Sequence, residues 1–502
     1  MVPRPAEEAM DETPKAKRVS MSVPTTWSPS PRDSLDGSPM GWTPSSVTGA
    51  SPSCRSPHAR SSLRRRTRSV LRSMSTVEFE GHGAPEGSSP VSAYGEPFSL
   101  VKMLFKPVRR LAEAILARVS TRFPMAAALV EFFISAVDLA IRSVTWFRFG
   151  IIAVWLGFRL IIYAMILLPA FLQIALKYYH DSRIRRHIRF GPKARNYVDI
   201  YCPAEAVAAQ EGKGPKVPVV IAVMGGAWIM GHRAWNAQLG ASLMDFGVLV
   251  FAVDYRNFPL GFVPDMVEDI TRAIGWVFAN CEAYGGDRDN VMILAQSAGA
   301  HLTALLLLEH SLLEANDDGE DDTDMLEDSR FEDRWSVSNF KAFLGISGPY
   351  DLVALEPHLV SRGIYSRILY SLAVDGDLAG CSPTRVLKTE DFRAAGTDAT
   401  ERLPHMYLFH GGGDKSVPSW SSMDFAEGLR DAGVKKVTLD VRPGMTHTYP
   451  VIEGPMAGRD PQAELVLPFL FGEAGPKLFE KSKRPRLWPQ IILDIASMIM
   501  PY

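Results

Sequence analysis

Val291-Met292-Ile293-Leu294-Ala295-Gln296-Ser297-Ala298-Gly299-Ala300-His301 is the stretch that decides how this chain folds. Its first four residues are apolar and predict a short buried strand. A helix-forming run, Ala298 to Leu308, begins without a linker. Ser297 stands at the junction, with small residues around it. A strand that turns into a helix at a serine is the layout of a nucleophile elbow, in which the turn lifts the hydroxyl above the strand end. The strained backbone and the close passage of helix over strand call for small neighbours. Ala295 occupies the place where this layout prefers glycine.

Working upstream, Val217 to Met224 reads as a buried strand, with Pro218 near its start where a strand tolerates proline. It runs into Gly225-Gly226-Ala227-Trp228. Glycines at a strand end let backbone N–H groups turn toward a bound atom. Gly225, Gly226, Ala227 and Ala298 therefore form a candidate oxyanion hole, with the N–H groups of Gly226, Ala227 and Ala298 as donors. The bland alternative is a tight turn closing a core strand. Downstream, Met406 to Phe409 reads as a strand and leads through Gly411-Gly412-Gly413 to Asp414. Val437 to Val441 reads as another and leads to Met445-Thr446-His447-Thr448-Tyr449. Ser297, Asp414 and His447 each follow a separate strand, in the order Ser, acid, His. They are the candidate catalytic residues: nucleophile, orienting carboxylate and general base. Asp351 is a second choice of acid, and His410 and His405 compete with His447. Jointly these signals predict an α/β-hydrolase fold: a mostly parallel sheet flanked by helices, preceded by a tail and membrane-associated helices.

From about Thr145 to Leu467 the chain resembles the plant-type isoprenylcysteine methylesterases. The strings that carry the resemblance are Gly225-Gly226-Ala227-Trp228-Ile229-Met230-Gly231, Arg233-Ala234-Trp235, Asp254-Tyr255-Arg256-Asn257-Phe258-Pro259, Gln296-Ser297-Ala298-Gly299-Ala300-His301 and Thr446-His447-Thr448. Ala295 and Tyr449 depart from that family's Gly and Asp, and the acidic insertion at 314–333 is a further departure; Met224 stands where the related lipase and esterase motif has His. The resemblance implies a serine esterase that hydrolyses the methyl ester of a prenylated cysteine, with Ser297, Asp414 and His447 in the roles given above and no cofactor or metal. It also implies a membrane setting, at the endoplasmic reticulum or Golgi with the catalytic domain toward the cytosol. Other readings are a general carboxylesterase or arylformamidase of the same fold, and a non-catalytic membrane-tethered scaffold.

The 502 residues carry a net charge of −2, so no global field favours nucleic acid as a partner. Cys54, Cys202, Cys281 and Cys381 are too scattered for a disulfide framework or a metal site and read as reduced thiols. Residues 1–95 are rich in Ser, Pro and Arg and are expected to be disordered, with a basic cluster from Arg60 to Arg72 suited to anionic lipid. Residues 96–180 form the expected membrane-associated region. Within it 100–122 is basic and amphipathic, and 125–141 carries Glu131 and Asp138 on one helical face. The segment 149–176 has Arg159 as its single charge and is the expected membrane helix, with Arg159 reaching a headgroup or Pro169 marking a kink. A hairpin with 125–141 or a single span both fit. The catalytic domain is expected over 190–473, with an acidic loop at 314–333 and a possible cap at 352–404 whose Leu, Ile and Tyr residues line a lipid-sized pocket or fill a helical core. The tail 474–502 is expected to add a helix that docks on the domain or the membrane.

Overall fold

The computed structural model of the chain describes residues 124–316, 335–362, 366–482 and 484–500. The tail 1–95, the basic stretch 100–122 and the acidic segment beyond Asn316 lie outside them. A helix, α1 (Pro124–His180), comes first. It runs unbroken through 125–141 and through Pro169, so there is no hairpin. At 1.5 Å per residue, its 57 residues span about 86 Å.

The sheet has eight strands: β1 (Ile184–Arg189), β2 (Tyr197–Tyr201), β3 (Val217–Val223), β4 (Leu249–Val253), β5 (Gly286–Gln296), β6 (Phe340–Ile346), β7 (His405–Gly411) and β8 (Val437–Arg442). Their order is β1-β2-β4-β3-β5-β6-β7-β8. The first two pairings are antiparallel and the other five parallel. This is the α/β-hydrolase fold. Parallel strands are covered on both faces and so read as continuous apolar runs. In β3 every residue is buried; Val219, Ile221 and Val223 join one core cluster, Val220 and Ala222 the other.

Helices α2 (Ala237–Met244), α3 (Val263–Asn280), α4 (Ala298–Ala315), α5 (Trp420–Asp431) and α6 (Pro461–Phe471) cover the sheet. α3, α4 and α5 contribute to the first cluster through Ile270, Leu302 and Phe425, and α2 and α6 to the second through Leu243 and Val466. Between β6 and β7 the insertion forms helices Leu352–Ser361, Ser366–Leu372, Pro383–Val386 and Glu390–Arg402. Its Leu352, Leu355, Leu359, Leu369 and Leu372 belong to the first core cluster. Ile368 and Tyr370 are exposed. Helical core is thus the role of those leucines.

The last helix, α7 (Gln490–Ile499), docks on α1 through Leu493 and Ala496, which cluster with Tyr163, Leu167 and Ala170. Arg159 does not reach outward to a headgroup. Its guanidinium donates to the carbonyl oxygens of Met498, Ile499 and Met500, at the negative end of the α7 dipole.

Parallel register fixes where the functional loops emerge. Val223 of β3 pairs with Ala295 of β5, Ala295 with Gly345 of β6, and Gly345 with Leu408 of β7. The carboxyl ends of these strands, where loops gather in open α/β sheets, therefore lie side by side.

Candidate active site

Ser297 links β5 to α4 with φ 52° and ψ −123°. A non-glycine residue in that region carries strain of about 1–3 kcal/mol, held by its surroundings. Here the Ser297 N–H donates to Ile346 O at 2.8 Å, which keeps the turn tied to the neighbouring strand. Crowding explains the small residues. A Cβ on Gly299 would lie 2.4 Å from Val223 O, and one on Gly225 would lie 2.7 Å from the Ser297 Cβ. The sequence pattern of the elbow is thus a packing requirement between β3, β5 and α4.

His447 lies in the loop after β8 and Asp414 in the loop after β7. His447 Nε2 is 3.0 Å from Ser297 Oγ, and its Nδ1 is 2.7 Å from Asp414 Oδ2. The three predicted residues therefore meet as one hydrogen-bonded chain. The other carboxylate oxygen, Asp414 Oδ1, accepts the Ser416 and Val417 N–H groups at 2.9 Å each. Burial would push the Asp414 carboxyl up, but the rings of His447 and His410 outweigh it and hold it well below the usual carboxylate range. His410 sits behind the acid: its Nε2 faces Val417 O at 2.9 Å and its Nδ1 faces Ser422 Oγ at 2.7 Å. The remaining candidates stand elsewhere. Asp351 caps helix Leu352–Ser361 through the Val353 and Ala354 N–H groups and pairs with Arg385. His405 bonds Thr438 Oγ1.

The loop after β3 is braced at four carbonyls. Tyr255 OH donates to Met224 O at 2.9 Å, Asn257 Nδ2 to Gly231 O at 2.8 Å, the Phe258 N–H to Trp228 O at 2.9 Å, and the Ile229 and Met230 N–H groups to Gly226 O. The string Asp254 to Phe258 is therefore the scaffold of the glycine loop. Gly226 has φ 140°, and a Cβ there would lie 2.3 Å from Gly231 N. Among the described residues the N–H groups of Gly226 and Ala227 have no protein acceptor. Ala298 opens α4, so its N–H has no partner within the helix. These donors, a buried base and a hydroxyl on a strained turn are what acyl transfer to serine requires.

Sequence reasoning gave no role to two further side chains. Gln296 Nε2 is 3.3 Å from His447 Nε2, the nitrogen that also faces Ser297. Glu453 is 1% exposed, and its Oε1 accepts from Thr448 Oγ1 and Tyr163 OH at 2.8 Å each. Tyr163 belongs to α1 and Thr448 follows His447, so one carboxylate joins the first helix to the loop of the base. No local motif signals either contact.

Comparison with known proteins gives concordant likenesses. The BD-FAE family profile matches residues 198–429. The chain is 35% identical over 346 residues to the probable isoprenylcysteine alpha-carbonyl methylesterase ICMEL2 of Arabidopsis thaliana, covering 68% of this chain and 76% of that protein. It is 35% identical over 344 residues to isoprenylcysteine alpha-carbonyl methylesterase ICME of the same plant, covering 68% and 75%. Among solved structures, esterase B from Lactobacillus rhamnosis is similar with a TM-score of 0.42 and 17% identity, over 59% of this chain and 89% of that one.

Proposed function

Since the chain belongs to the isoprenylcysteine alpha-carbonyl methylesterase family, and is thus a carboxylic ester hydrolase, we propose that it removes the methyl ester from a prenylated cysteine, with Ser297, His447 and Asp414 as the catalytic residues. Ser297 Oγ attacks the ester carbonyl carbon while His447 Nε2 takes the hydroxyl proton. The N–H groups of Gly226, Ala227 and Ala298 hold the oxyanion, and Gly225 keeps the loop clear of the elbow. The carbon–methoxy bond breaks, and methanol leaves with the proton from His447. Water, deprotonated by the same ring, cleaves the acyl-serine to the free carboxylate. Asp414 orients His447 and stabilises its protonated form.

The observation that carries this reading is the unbroken run of hydrogen bonds from Ser297 Oγ through His447 to Asp414. A prenyl chain partitions into lipid, and Val154–His180 is long and apolar enough to cross a membrane. Both support a bilayer setting; the endoplasmic reticulum or Golgi, with the catalytic domain in the cytosol, is the location this reading carries, and protease protection of fractionated membranes tests it. For the activity, the full chain is assayed with a farnesylcysteine methyl ester and with p-nitrophenyl butyrate, and labelled with a fluorophosphonate. The expected results are a higher kcat/KM for the prenylated ester and loss of both label and turnover in Ser297→Ala. A strong preference for the butyrate ester rejects the substrate and spares the mechanism; a wild type that never labels rejects the mechanism.

A further inference from the structure

His301 lies one turn into α4, its N–H bonded to Ser297 O, and it is wholly buried. Its two ring nitrogens bind two different parts of the molecule. Nδ1 lies 3.2 Å from Trp228 Nε1, and Nε2 lies 2.6 Å from Cys381 O. An indole N–H only donates and a carbonyl only accepts, so the tautomer is fixed: Nε2 carries the proton and Nδ1 accepts. The Trp228 and His301 rings meet edge to face, 5.3 Å apart at 90°. Burial lowers the His301 pKa to about 4, so the ring is neutral at pH 7 and Nδ1 is available to Trp228.

Trp228 belongs to the glycine loop, and Cys381 to the insertion between β6 and β7. The loop needs such a hold. Ala227 and Trp228 are consecutive non-glycine residues with φ of 50° and 62°. That region costs about 1–2 kcal/mol per residue and persists only where neighbours impose it. The brace from Asp254 to Phe258 holds carbonyls of the loop. Trp228 is its buried side chain, 3% exposed, and His301 is that side chain's hydrogen-bond acceptor.

We propose that His301 is a positioning residue for the oxyanion hole: by gripping Trp228 on one side and the Cys381 carbonyl on the other, it lets the insertion set where the Gly226 and Ala227 N–H groups point. This rests on the reading above that those groups hold the oxyanion. His301 does not touch the ester. It acts through Trp228, so it governs binding of the tetrahedral species more than binding of the substrate.

The test uses the full chain in detergent, p-nitrophenyl butyrate as substrate and a butyl trifluoromethyl ketone as tetrahedral analogue. Because one oxyanion donor contributes about 10²–10³ in rate, misplacing two by a few tenths of an ångström is expected to cost about 10- to 100-fold. His301→Phe and Trp228→Phe should lower kcat by that factor with KM unchanged. Affinity for the ketone should fall by the same factor, and the double variant should be no worse than either single one. His301→Asn, whose amide oxygen can take the place of Nδ1, should recover most of the loss. If His301→Phe shows no cooperative melting transition, Trp228→Phe carries the comparison. A fall in kcat with undiminished ketone affinity marks a structural role only and overturns the inference. So do unchanged kinetics in variants of a wild type that labels at Ser297. A wild type that never labels overturns the catalytic reading itself, and this inference with it.

Discussion

At the scale of single residues, Ser297, His447 and Asp414 stood out in the sequence because each follows a strand in a fixed order, and the structure brings the three side chains together. Asp414 already stood ahead of Asp351 in the sequence, and the structure sets its carboxylate 2.7 Å from His447 Nδ1. Asp351 is occupied by a helix end and Arg385. Asp414→Asn is expected to lower kcat by about 10⁴, because an amide in place of the carboxylate favours the wrong imidazole tautomer. KM and Ser297 exposure should stay nearly constant. A loss below tenfold would show that another group orients His447. The same substitution has a pH signature. Asp414 titrates in the fold well below its ordinary value of 3.8, through its histidine partners. A carboxyl with a depressed folded pKa contributes stability that is fully present above the unfolded value and is lost as the pH falls through the folded one. Urea titrations at descending pH should therefore show wild type losing stability below about pH 4 more steeply than Asp414→Asn. Parallel curves would mean that the carboxylate is not held by His447 and His410 in solution.

At the scale of elements, the strands that carry the site, β3, β5, β7 and β8, were readable as strand-like runs that end in glycine or polar turns. β1 was not, for it reads Ile-Arg-Arg-His-Ile-Arg from Ile184 to Arg189. It is an edge strand, and its charges blunt an edge that would otherwise pair with another chain, which is also what hides it from an apolar search. Arg159 was misassigned for a related reason: its partners lie about 340 residues away and are backbone carbonyls, which no side-chain pattern reveals. A cation at a helix C-terminus contributes roughly 0.3–1 kcal/mol, rising to about 2 where it is partly buried. Arg159→Ala is therefore expected to loosen α7 while leaving the sheet intact. Hydrogen exchange should quicken roughly fivefold or more across 490–500, corresponding to about 1 kcal/mol, with β3 and β5 unchanged. Undisturbed protection in α7 would show that Leu493 and Ala496 alone hold it to α1.

At the scale of the whole molecule, α1 has two unlike faces. Tyr163, Leu167, Ala170 and Tyr178 are buried against the catalytic domain, and both tyrosines donate to buried carboxylates, Glu453 and Asp199. Ile161, Met165, Leu168 and Leu172 are exposed on the other side. On α7, Ile491, Ile495 and Met498 are exposed as well, at helical spacing. An apolar surface of this extent is what a lipid contact requires and a free surface avoids. The composition of 149–176 was enough to predict a long apolar helix, and Val154–His180 is long and apolar enough to cross a membrane. Composition could not reveal that one side of that helix is committed to the enzyme, because Tyr163 and Tyr178 find their carboxylates only in the fold. A helix fixed to the domain by one face and offered to lipid by the other would hold the active site at a set distance from the bilayer, where a prenylated ester resides. The variant carrying Ile161→Ser, Met165→Ser, Leu168→Ser and Leu172→Ser tests this. At about 25 cal/mol per Å² of apolar surface, four such side chains contribute a few kcal/mol to lipid contact, so binding to phosphatidylcholine vesicles should weaken by at least about a hundredfold. Turnover of p-nitrophenyl butyrate should be unchanged, since the buried face and its bonds to Glu453 and Asp199 are untouched. Turnover of farnesylcysteine methyl ester in vesicles should fall, while turnover of the same ester in detergent micelles should not. Vesicle binding that survives all four substitutions would move the lipid contact away from this face of α1.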